Sequence, residues 1–149
     1  MSATARRYYV RAVEQLKRGD LESARDDFRA AIEMAPTFVE ARIGYATSLA
    51  RSGEATRAAQ LLRTGLARET RPRPRMSLES SLGDVLIAAG DYRGAEAAFV
   101  AAAQSADALG LPQTAALHDR LARLRAKTGR FEDALDELLA AARASERRT

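Results

Sequence analysis

Alanines and larger apolar residues recur three and four positions apart along this chain, set within charged flanks, which is the pattern of helices that bury one face. In one stretch Ala24 is followed by Phe28 four residues on and by Ala31 three beyond that. The same arrangement returns with Ala58, Leu62 and Gly65, with Ala95, Phe99 and Ala102, and with Ala134, Leu138 and Ala141. A large side chain between small ones wedges against an antiparallel neighbour while the small positions let the backbones close in. No stretch shows the strict alternation of a half-buried strand. The pattern predicts helices over residues 4–18, 21–34, 37–52, 55–69, 75–89, 92–109, 112–128 and 131–146. Eight helices of this kind form four antiparallel hairpins, and the expected fold class is all-α.

A short signature opens the second helix of each hairpin. Gly19-Asp20-Leu21-Glu22-Ser23-Ala24 aligns with Gly53-Glu54-Ala55-Thr56-Arg57-Ala58, Gly90-Asp91-Tyr92-Arg93-Gly94-Ala95 and Gly129-Arg130-Phe131-Glu132-Asp133-Ala134. The glycines are 34, 37 and 39 residues apart, and the longer two intervals hold extra residues around Arg73 to Arg75 and Gly110 to Thr114. A period near 34 indicates a stacked repeat array. Each glycine is expected to end the preceding helix in the left-handed conformation. Asp20 and Asp91 can cap the helix that follows, whereas Arg130 cannot, so the last helix should start weakly.

These residues resemble the tetratricopeptide repeat family over positions 5 to 148. Ala24, Phe28, Ala31 and Pro36 fill the second half of the family pattern, and Tyr8 and Ala12 stand where its Trp and Gly would be. Leu82-Gly83 supplies the Leu-Gly pair of the third unit, with Leu86 in the Tyr slot. Departures fall at Arg11 and Gln15, in the family's Leu and Tyr slots, and at Thr70 and Asp107, where the closing Pro would be. The first helix is therefore expected to shift register or present a polar face, and those two junctions to be looser or extended. The resemblance implies one domain over residues 1–149, an α-α superhelix with repeats at about 5–38, 39–72, 76–109 and 115–148. Stacked units of this type form a curved array with a concave inner surface.

Composition narrows the function. Hydrophobic residues make up 46% and aromatics 5% of the chain, so alanine supplies much of the apolar surface, as suits closely packed helices. Cysteine is absent, which excludes disulfides and thiol chemistry. His118 has no second His or Cys to complete a metal or catalytic site, and since its slot is the family's Trp position it is read as a packing residue. Ser77, Ser80 and Ser81 lack a histidine base or a nucleophile elbow. No phosphate-binding loop or dinucleotide fingerprint occurs. The chain is accordingly read as a non-enzyme without cofactor or metal. Met1 to Gln15 carries Arg6, Arg7, Arg11 and Glu14 and no apolar run of leader length, and no run approaches a membrane span, so a cytoplasmic location is expected. The excess of 24 basic over 20 acidic residues is modest and the signs are interspersed. Arg6, Arg7, Arg147, Arg148 and the segment Arg71-Pro72-Arg73-Pro74-Arg75, expected to be an extended, polyproline-like connector, leave nucleic-acid association as the alternative function.

In the resembled family the first helix of each hairpin lines the concave face. Carried over, its slots are Arg6, Tyr9, Val13 and Leu16, then Ile43, Gly44 and Thr47, then Ser77, Ser80, Ser81 and Asp84, and last Asp119, Arg120, Arg123 and Lys127. Some family members clamp the C-terminal carboxylate of chaperones with Lys, Asn and Arg on these slots. Here Tyr9, Val13, Gly44, Ser77 and Ser81 occupy them, so that clamp is not expected. The reading instead is an adaptor or scaffold that seats apolar side chains of a partner peptide or helix on Tyr9, Val13 and Ile43 and its acidic groups on Arg120 and Arg123. Leu135, Leu139 and Ala142 leave an apolar edge on the last helix, where self-association is expected.

Overall fold

The computed structural model describes residues 1–112 and 114–147, with the backbone alone for Phe131. The Phe131 side chain, Gln113 and Arg148 therefore lie outside the described residues. Eight helices and no strand occur among those described: α1 (Ala3–Lys17), α2 (Leu21–Met34), α3 (Val39–Arg51), α4 (Ala55–Arg68), α5 (Pro72–Ala88), α6 (Tyr92–Leu109), α7 (Thr114–Lys127) and α8 (Phe131–Glu146). Consecutive helices pair as hairpins α1/α2, α3/α4, α5/α6 and α7/α8. The hairpins gather into two compact units, residues 1–69 and 70–149.

Local chemistry explains the joints. Gly19, Gly53, Gly90 and Gly129 have φ of 81°, 87°, 79° and 83°, in the left-handed region. The next residue's N–H then donates back to a carbonyl of the finished helix, as from Asp20 to Gln15 at 3.0 Å and from Asp91 to Leu86 at 2.9 Å. Asp20 caps α2 by accepting from the Ser23 N–H at 3.2 Å, and Asp91 caps α6 by accepting from the Gly94 N–H at 2.9 Å. Arg130 makes no cap bond for α8, as its side chain dictates.

The polyproline-like reading of Arg71 to Arg75 is corrected. Only Arg71 is extended, at φ −75° and ψ 129°, while Pro72 and Pro74 lie in the first turn of α5. The first three helical positions have no intrahelical acceptor for their N–H groups, so proline sacrifices nothing there. Arg75 donates the first helical bond, to Arg71 at 3.0 Å, one residue after the second proline. The junction after α6 is likewise not loose. Gly110 ends the helix at φ 64°, Leu111 donates to Ala106 at 2.9 Å and is buried, and the buried Thr114 hydroxyl donates to the Leu111 carbonyl at 3.0 Å.

Each unit has its own core. In the first, Phe28 and Leu62 are buried among Ala24, Ala31, Ala46 and Ala58. A Cβ on Gly44 would overlap the Phe28 ring, so α3 can approach α2 this closely only without a side chain there. In the second, Leu78, Phe99 and Leu121 are buried with Ala95 and Ala102. Gly83 plays the corresponding part within its hairpin, where a Cβ would lie 2.6 Å from the Phe99 ring. The shift of register expected of the first helix does not occur: Ala12, in the family's Gly slot, is buried, as is Ala5. Arg11 is accommodated by a two-pronged ion pair at 2.5 and 2.7 Å to Asp27, itself buried on α2.

Candidate functional site

In the first unit the candidate face is built by α1 and α3. Val13, Leu16, Ile43 and Thr47 are half-buried, and the Thr47 hydroxyl is turned back to donate to the Ile43 carbonyl at 2.9 Å. Tyr9 is engaged in packing: its ring lies 4.9 Å from that of Phe38 and 6.0 Å from that of Phe28. Gly44 is likewise a close-approach position against Phe28. The apolar surface on this face therefore comes chiefly from Val13, Leu16 and Ile43.

In the second unit the face is built by α5 and α7 and is charged. Arg120 is fixed from three directions: its guanidinium is 3.2 Å from Asp84, donates to the Ser80 hydroxyl at 3.2 Å and lies 5.4 Å from the centre of the Phe99 ring. Arg120 occupies the slot that Gly44 holds in the second hairpin, so both stand against the ring of the preceding hairpin. Partial burial raises the Asp84 carboxyl above its ordinary range, against the opposing pull of Arg120. Arg123 pairs with Asp119 one turn away at 2.8 Å and keeps its side chain largely in solvent. Lys127 sits 4.9 Å from the Tyr92 ring. A pocket of about 200 Å³ opens here, with Ile87, Phe99 and Leu124 beneath and Arg120, Arg123, Lys127 and Asp84 around it. Ser81 is half-buried beside this group on α5.

Two tetratricopeptide repeat family models match residues 15–79 and 81–147, which together take in nearly the whole chain. The chain belongs to the tetratricopeptide repeat family. No curated protein sequence matches it. Among solved structures, it is similar to one reported in a functional characterisation of Pseudomonas aeruginosa pilF, at TM-score 0.79 and 21% identity over 96% of this chain and 62% of that one. The apo form of RapI gives TM-score 0.84 at 12% identity over 99% of this chain and 58% of that one. A Podosopora anserina putative kinesin light chain with nearly identical TPR-like repeats gives 0.82 at 15% over all of this chain and 79% of that one. These likenesses establish a TPR-like solenoid fold. The chain spans less than two thirds of the length of the pilF and RapI structures.

The repeat frame exposes a feature that single-residue reading missed. The family's Trp slot lies sixteen residues before each repeat alanine, and here it holds Tyr8, Arg42, Glu79 and His118. Arg42 donates to the Leu61 carbonyl at 3.2 Å, and burial followed by the nearby Arg68 charge lowers its pKa. Glu79 is 7% exposed, pairs with Arg75 at 3.4 Å through Oε1 and leaves Oε2 buried without a hydrogen-bond partner. Burial raises its pKa, with Arg75 and then Ser105 opposing. His118 packs as expected of its slot, but between two carboxylates, with Nδ1 2.5 Å from Glu137 and Nε2 3.3 Å from Asp107. A neutral ring donates to one of them and an imidazolium to both. Glu137 also accepts from Arg125, which donates in turn to Glu96 at 3.1 Å, and Glu96 pairs with Arg130. The Arg130 bond lowers the Glu96 pKa, outweighing desolvation, with Arg125 adding to it.

Two further surfaces of this tetratricopeptide repeat protein stand out. On α8, Leu135, Leu138 and Leu139 are 58%, 47% and 46% exposed, and Ala142 is exposed beside them. An open cavity of about 650 Å³ runs along α6 beside the α7/α8 turn, lined by Tyr92, Glu96, Val100, Gln104, Thr128 and Arg130 among others. Among the described residues no group of His, Cys, Asp or Glu is arranged to hold a metal ion, and no helix is long and apolar enough to cross a membrane.

Proposed function

We propose that this protein is a cytoplasmic adaptor that holds a peptide or helix of another protein on the first-helix faces of its hairpins, by recognition rather than catalysis. A repeat-protein scaffold of the tetratricopeptide type is the general basis of the reading. The observation that carries it further is the α5/α7 face. Arg120 is held by Asp84, Ser80 and Phe99 before any ligand arrives, so little side-chain entropy is lost when it meets one. It stands beside an apolar floor large enough for one side chain and next to the exposed Arg123. That combination fits a segment carrying an apolar residue beside Asp or Glu. The α1/α3 face, with Val13, Leu16 and Ile43 half-buried, suits apolar side chains of a peptide or helix in its own right. The exposed edge of α8 is a second contact face, for a further copy of the chain.

Nucleic-acid association is less well supported, because many arginines already face carboxylates, including Arg11 with Asp27, Arg25 with Glu54 and Arg130 with Glu96. A library of displayed random peptides, panned on the protein, tests the adaptor reading. Acidic-apolar sequences should be enriched, and the double variant Arg120→Glu, Arg123→Glu should retain them at least about ten-fold less well while keeping its helical circular dichroism. Absence of enrichment, or steep salt-dependent binding to DNA or RNA instead, would overturn it.

A further inference from the structure

We propose that α8 pairs antiparallel with α8 of a second copy of this chain, about a two-fold axis near Leu139, with Asp136 of each copy facing Arg143 of the other. This deepens the reading of α8 as a contact edge and does not depend on groove recognition.

Leu135, Leu138, Leu139 and Ala142 form one stripe at helical spacing on the exposed side of α8. At about 3.6 residues per turn, one flank of that stripe carries, in order, Glu132, Asp136, Arg143 and Arg147. The acidic pair comes first and the basic pair last. Within the helix this order brings like charges together, since Glu132 and Asp136 are one turn apart and so are Arg143 and Arg147, and each such pair is mildly unfavourable. Glu132, Asp136 and Arg143 have no ion-pair partner among the described residues, and Arg147 lies 3.4 Å from Asp107.

A two-fold antiparallel copy reverses the relation. In such a pair the same flank of each helix faces the same flank of the other, so the acidic half of one meets the basic half of its mate. One offset satisfies the charges and the stripe together. It sets Asp136 against Arg143 and Glu132 against Arg147, brings Leu139 near its own symmetry mate, and lays Leu135 against the small Ala142. A parallel pair would instead place unlike flanks together and leave the acidic and basic pairs unmatched. One helix of 16 residues offers a small interface, so the association is weak and concentration-dependent.

Sedimentation of the full chain over a concentration series tests this. The wild-type mass should rise from monomer towards dimer. Asp136→Arg and Arg143→Asp should each weaken dimerisation by about ten-fold, because each puts like charges at both symmetry-related contacts. An equimolar mixture of the two, and the double variant carrying both changes, should recover it, since each restores opposite charges. Leu139→Lys, at an exposed position, should abolish dimerisation with helicity unchanged. A wild-type chain that stays monomeric, with α8 covered by some other partner or by none, overturns the proposal. So does a dimer indifferent to these changes, or a mixture that fails to recover. Peptide capture by the α5/α7 face should be the same in Asp136→Arg and Arg143→Asp as in the wild type, which separates failure of this proposal from failure of the adaptor reading.

Discussion

Glu79 shows how a single side chain can work against the fold that contains it. Its carboxylate takes a slot where an aromatic would bury apolar surface, and one of its oxygens has no hydrogen-bond partner. Its folded pKa lies above the unfolded value, so a proton is bound more tightly in the folded chain. Stability from that source is present at low pH and lost as pH rises through the carboxylate range, leaving a constant penalty at neutrality. Replacement by Gln should therefore stabilise the protein by ~1 kcal/mol at pH 7, and the gap between variant and wild type should narrow towards pH 4, as followed by urea denaturation. Glu96 has the opposite sign. Its pKa is lowered by Arg130 and Arg125, so its contribution is present above the ordinary carboxylate range and falls away on acidification. The partners of the polar groups in the Trp slot were not legible in the sequence for a definite reason. Only packing brings Arg42 to the Leu61 carbonyl and His118 to Glu137, both 19 residues away along the chain.

At the level of the helix, sequence legibility depended on how local the determinant was. The turn glycines, the Asp20 and Asp91 caps and the small-large-small spacing all act within a few residues, and the helices appear within a few residues of where those signals place them. Arg71 to Arg75 misled because proline fixes φ near the value common to polyproline backbone and the first helical turn, so that ψ alone separates the two. The candidate face was legible as a set of slots. That Tyr9 is committed to Phe28 and Phe38, and Arg120 to Phe99, was not, since Phe28 and Phe99 come from other helices and Phe38 from the turn before α3. Helix stability should also differ along the chain. α6 is capped by Asp91 at one end and Gly110 at the other and buries one side along most of its length, whereas α8 has no side-chain bond at its N-cap and an exposed apolar stripe. Amide hydrogen exchange measured at low protein concentration should be about ten-fold or more faster in α8 than in α6.

Over the whole molecule, two compact units each hold a separate set of buried aromatics and leucines, with Phe28 and Leu62 in residues 1–69 and Phe99 and Leu121 in residues 70–149. Damage to one core should therefore register first in its own unit. Phe28→Ala, a cavity expected to cost about 3–5 kcal/mol, should accelerate hydrogen exchange in residues 1–69 well before residues 70–149, and Phe99→Ala should do the reverse. Equal acceleration everywhere would mean that the chain opens as one block.

The polar groups in the Trp slot also limit how this array could have grown. Arg42 finds its acceptor, and Glu79 its cation, without leaving their own hairpins, so the second and third hairpins carry their compensation with them when copied. The fourth does so only in part: His118 also reaches back to Asp107, and Arg125 and Arg130 to Glu96, both on α6. Duplicated behind a different neighbour, that hairpin would keep Glu137 for His118 and Arg125 and Asp133 for Arg130 but lose the carboxylates on α6, so it would arrive only partly compensated.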